Sequence, residues 1–138
     1  MKETELLHSL TLLCLYLITG FLFLFQSYDK IFRIGVKNVS REFSSTLPHV
    51  PYSILYSGIL ASSIIEFVCG LFLITGLFTQ LSLMFLFVEM TGVAIVFSMI
   101  RPMWDMQYYF PRLALLITLI VLPDEWNRLS LIGLFVNP

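Results

Sequence analysis

Residues 53–100 form a run of 48 residues with only two charges, Glu66 and Glu89. A helix needs about 20 apolar residues to cross the ~30 Å hydrocarbon core of a bilayer, so this run is too long for one crossing and suits two. Its break falls at Gly76-Leu77-Phe78-Thr79-Gln80, where a glycine meets two adjacent polar residues. Spans are therefore predicted over 53–75 and 80–100, joined by a turn so short that they pack as an antiparallel hairpin. Residues 6–26 make a third apolar run, closed by Ser27-Tyr28-Asp29-Lys30. A cleavable signal has a basic start, a short apolar stretch and a small-residue cleavage site, so the longer run here reads as a retained first span. The fourth and shortest, 107–122, stops at Pro123-Asp124-Glu125.

Composition agrees. Charged residues make up 12% of the chain, against about a quarter in soluble domains, and 58% of residues are hydrophobic. The expected fold is an all-α membrane protein: a single domain, 1–138, built as an antiparallel four-helix transmembrane bundle. A long polar loop, 31–52, separates helices 1 and 2. Within it Ile31, Ile34, Val39 and Phe43 alternate with Arg33, Lys37, Asn38 and Arg41, the pattern of a short interfacial helix, before prolines 48 and 51 interrupt it. Aromatic residues mark both interfaces, with Tyr52, Tyr56, Trp104, Tyr108 and Tyr109 at one and Trp126 at the other. Lys30, Arg33, Lys37, Arg41 and Arg101 lie on the loop side, against Lys2 and Arg128 on the terminal side. By the positive-inside rule the loops face the cytoplasm.

Several chemistries are excluded or unsupported. A formal net charge of -1 leaves no electrostatic footprint for nucleic acid. Cys14 and Cys69 form no CxxC pair and no zinc spacing, and read as small buried hydrophobes. A redox role for them requires helices 1 and 2 to bring the two thiols face to face. The two histidines, His8 and His49, do not suit a bis-histidine haem, and no metal site or nucleotide motif is present.

The two acids carry the functional reading. A charge at the centre of a membrane helix costs roughly 2.5–3.5 kcal/mol on insertion scales, so it is normally turned inward and partnered. Glu66 lies about 13 residues into its span and Glu89 about 11 from the end of the next, which puts both near one depth. Gly58, Ser62, Glu66 and Gly70 share one stripe of helix 2, and Ser82, Glu89 and Gly92 one face of helix 3. Tyr16, Gly20, Phe23, Ser27 and Lys30 share a face of helix 1. Gly20, Gly58, Ser62, Gly70 and Gly92 are thus expected to be helix-packing residues. Arg112 is the first candidate cation for the acids, and Lys30 the second, shallower one. The cluster is either a lock that fixes helix register or a site for a proton, ion, quinone or other small molecule.

The arrangement resembles the DoxX-like family of small membrane proteins. Gly20, Ser27, Lys30 and Ile31 match the end of that family's first span, with Ser27 where glycine is usual. Glu66-Phe67-Val68-Cys69-Gly70-Leu71, followed by Gly76-Leu77-Phe78-Thr79, is similar to its second. The likeness covers about residues 10–122. It departs at Arg112, where the family often has an acid, and at 124–131. The resemblance implies a bacterial-type plasma (inner) membrane, a four-helix bundle and an N-terminus inside, the reverse of the charge count. Its named member is similar to a subunit of a thiosulfate:quinone oxidoreductase. The expected function is therefore an accessory or quinone-proximal subunit of a membrane redox complex, not catalytic alone. It would hold no intrinsic cofactor, with quinone at an interface and lipid, other membrane subunits or further copies of itself as partners. A small proton-coupled transporter and a structural scaffold are the alternatives.

Overall fold

A computed structural model describes residues 3–100 and 109–123. Those residues are helical throughout their ordered elements, in the sequence α1 (Glu3–Tyr28), a π turn (Asp29–Arg33), α2 (Val36–Thr46), α3 (Tyr52–Thr75), α4 (Thr79–Ile100) and α5 (Phe110–Val121). At ~1.5 Å per residue, α3 and α4 are about 36 and 33 Å long, enough for the ~30 Å core of a bilayer. α1 is longer still, and α5, at about 18 Å, is shorter than that core. Only 33%, 28% and 28% of the most apolar windows of α1, α3 and α4 are buried within the chain. Phe25, Met84 and Val88 are each more than three-fifths exposed. Helices apolar on every side and covered on only one need lipid for the remainder. Arg101, Trp104, Tyr108, Trp126 and Arg128 lie outside the described residues.

The polar stretch after the first span departs from the expected long loop, because most of it is helical. α1 runs directly into the π turn, closed by Ile34 N donating to the Asp29 carbonyl at 2.8 Å. Gly35 then takes φ +85°, a left-handed conformation that spares it any side-chain clash, and redirects the chain into α2. Val36 and Val39 are buried against the body of the protein, while Lys37, Asn38, Arg41 and Glu42 stay exposed. That one-sided burial is what holds α2 against α3. α3 ends at Gly76, again left-handed at φ +81°, whose N–H donates to the Phe72 carbonyl at 2.9 Å. The turn to α4 follows at once, as the break at 76–80 predicted.

α1 and α3 form the tightest pair. A Cβ built on Gly20 would stand 2.9 Å from the Gly70 carbonyl oxygen, and one on Gly70 would stand 2.9 Å from that of Gly20. Backbone therefore meets backbone, a contact that only glycine on both sides permits. Tyr16, Phe23 and Ser27 are buried along the same stripe of α1. Two of the hydroxyls taken inside are satisfied locally: Ser27 donates to the Phe23 carbonyl at 2.8 Å and Ser63 to that of Ile59 at 2.7 Å. α4 packs between α3 and α5, and α5 returns to touch α1. Leu73, Leu83, Leu86, Leu116 and Leu119 fill the space between them.

Gly58 and Gly92 do not share this packing role. A Cβ at either position meets nothing within 4 Å. They sit where the helices leave room, so the small side chain serves a space rather than a contact. Gly70→Ala should therefore lower the melting temperature in detergent, at a cost of about 1–3 kcal/mol for forcing two backbones apart. Gly58→Ala and Gly92→Ala should leave it unchanged. Equal losses at all three positions would contradict this division.

Candidate functional site

Glu66 lies midway along α3 and is 1% exposed. Lys30 reaches it from the end of the first helix, with Nζ 2.8 Å from both carboxylate oxygens. The chain stays helical beyond the end of α1 at Tyr28, and Lys30 lies in the π turn that follows directly. Gln26, one turn earlier on the same face, donates from Nε2 to Glu66 Oε1 at 3.3 Å. The side chain of Lys30 is 23% exposed and that of Glu66 1%, so the pair is buried mainly on the carboxylate side.

Glu89 approaches from α4. Ser62, one turn before Glu66 on α3, donates to Glu89 Oε1 and ties the hairpin together at that level. Glu89 Oε2 is buried and outside hydrogen-bond geometry with the described residues, with the Glu66 carboxyl close enough to act on it; Gln26 Oε1 is likewise buried without a hydrogen-bond partner among them. Glu66 and Lys30 both act electrostatically on Glu89, so the two carboxyls and the ammonium form one cluster. Arg112 joins neither acid: among the described residues the ion pairs are Lys30–Glu66 and Arg33–Asp29. The cation is supplied by the π turn that continues the first helix rather than by α5.

This cluster is the polar end of a cavity of about 440 Å³. Small-molecule sites of roughly 300–1,000 Å³ are typically apolar with a few convergent polar groups, and this one follows that plan. From Glu66, Lys30, Gln26, Ser62 and Glu89 it extends between α3 and α4 past Gly58 and Gly92, and its far end is roofed by Val39, Phe43 and Leu47 of the α2 segment. Phe43 meets Phe97 edge-on with centroids 5.4 Å apart, and Phe97 leans on Tyr109 at 4.7 Å, so rings from three elements close that end.

The DoxX family model matches residues 11–99, well over half of the chain. The chain belongs to the DoxX family. With its long apolar helices, it is a small integral membrane protein. Neither a curated protein nor a solved structure matches it. The DoxX match runs from within α1 almost to the end of α4 and so includes both acids, Lys30 and the whole of α2.

Gln26 and the α2 residues are the parts of the site that the sequence reading did not include. Gln26 was legible: it falls three residues after Phe23 and four before Lys30, on the inward stripe. Val39 and Phe43 were noted for their amphipathic spacing, but nothing local shows that α2 folds back over a cavity. The thiols do not meet, since Cys14 is exposed and Cys69 is buried in the core. His8 belongs to α1's first turns and His49 to the link after α2, so they do not face one another. Among the described residues no group of three His, Cys, Asp or Glu side chains gathers.

Lys30→Met should destabilise the protein by about 3–5 kcal/mol, because it strands a buried carboxylate. Lys30→Met combined with Glu66→Met should recover most of the loss in detergent melts. A double variant no better than the single would show that the pair is not the interaction that matters.

Proposed function

We propose that this DoxX protein crosses the membrane four times, with α5 in the fourth crossing, and serves as a quinone-proximal accessory subunit of a redox complex in a bacterial-type plasma membrane. The observation that carries the reading is the cavity: an apolar channel whose deep end presents a carboxyl oxygen outside hydrogen-bond geometry with the described residues, beside an ion-paired carboxylate. A quinone has the matching division, a polar ring at one end of an apolar tail. A carboxyl suits both of its redox forms, since the acid donates to a quinone carbonyl and the carboxylate accepts from a quinol hydroxyl. The chain itself supplies binding, orientation and exclusion of water. The electrons belong to the partner enzyme.

Lys30 occupies both oxygens of Glu66, which leaves Glu89 as the group free to change its hydrogen bonding when a ligand arrives. The α2 roof screens the site from the water side, where Lys37 and Arg41 point outward.

Purified protein in lipid nanodiscs should be labelled stoichiometrically by a photoreactive azidoquinone, on peptides containing Gly58 or Gly92, and excess unlabelled quinone should block the labelling. Glu89→Leu should weaken binding about tenfold, the loss of roughly one good hydrogen bond in an apolar site. Mild-detergent purification should co-isolate an enzyme that reduces or oxidises quinone. Labelling no greater than that of a lipid of equal tail length would remove the reading.

A further inference from the structure

We infer that Gly58 and Gly92 form a slot for the flat ring of the bound ligand, and so set which ring sizes the site accepts. The inference rests on the quinone reading above and adds where the head lies and what limits it.

The Ser62–Glu89 hydrogen bond fixes the register of the two antiparallel helices. One helical turn from it toward the α2 end, about 5.4 Å along the axis, Gly58 on α3 stands opposite Gly92 on α4. Both line the cavity, and both are exposed within the chain. A Cβ on either would meet no atom within 4 Å, whereas Gly20 and Gly70, in the same protein, are in backbone contact. With no side chain on either glycine, the cavity is widened at this level.

Such a gap suits a rigid plane rather than a tail. A prenyl chain threads between Leu, Ile and Val side chains, which turn aside for it. A ring cannot bend, and needs clearance that already exists. The slot lies one turn from Glu89 Oε2, the buried oxygen outside hydrogen-bond geometry with the described residues, so a ring seated between the glycines brings a carbonyl toward that oxygen. Beyond the slot the cavity is apolar as far as Phe43 and Phe97, which places the tail on the roofed side.

The test compares wild type with Gly58→Leu, Gly92→Leu and the two alanine variants in nanodiscs. The probes are a decyl benzoquinone, a decyl naphthoquinone and decanol, which has the tail without the ring. Either leucine should weaken both quinones at least tenfold while leaving decanol and the helix content unchanged. Either alanine, which keeps the fold because its Cβ touches nothing, should weaken the bicyclic ring more than the monocyclic one. If the leucine variants fold and bind both quinones as wild type does, the slot is wrong though the cavity reading stands. If wild type dimerises in nanodiscs and the leucine variants bind quinone normally but no longer dimerise, the gap receives a second copy of the chain and the inference is overturned. If wild type binds neither quinone, the cavity reading falls, and the slot with it.

Discussion

A carboxylate placed halfway through a bilayer has to be met by a cation, and the architecture follows from how that is done. Glu66 cannot reach water, so a charge of opposite sign must come to it. The helix that brings the charge must lie close enough for a lysine to span the gap, and the reciprocal contact at Gly20 and Gly70 supplies that closeness one turn away. The π turn then holds Lys30 at the right height. Two features that look unrelated in the chain, a pair of glycines and an irregular helix end, serve one electrostatic requirement. Its other consequence is that α1 and α3 are the fixed half of the molecule. The space is left on the side of α4, where Glu89 has a lighter tether through Ser62.

Much of this was legible before any coordinates. The three long helices follow from runs of apolar residues whose length has one economical explanation, and their ends fall within a few residues of the prediction because glycine, proline and paired polar residues mark them. The inward stripe of α1 was legible through its period. What was not legible depended on distance across the fold. Arg112 looked the better partner for the acids because a position inside a span suggests depth. Lys30 shares the inward stripe of α1, but its place at the polar end of that span suggests a shallow position. Which cation reaches the acids depends on distances between helices, and those no residue type announces.

The glycines show a second limit of sequence. Gly58 and Gly70 lie on one stripe of one helix at multiples of four, and periodicity gives them the same role. In the fold, Gly70 is pressed against a neighbouring backbone and Gly58 borders empty volume. The period of a helix reveals which residues share a face, but not whether another helix covers that face along its whole length. The same holds for α2, whose amphipathic spacing reveals a buried side without saying what lies beneath it.

The turn at Gly76, which joins α3 to α4 with scarcely any intervening chain, also bears on how the protein is made. Two apolar helices so closely tethered are suited to enter a membrane as one folded-back unit, and each carries an acid to the same cluster. The serine on one arm already satisfies part of the acid on the other, so some of the burden is relieved within the unit itself. α1 leaves the ribosome before either, with Lys30 at its trailing end. The counter-ion thus stands in place before the most demanding charge arrives, an order of synthesis that matches the order of electrostatic need.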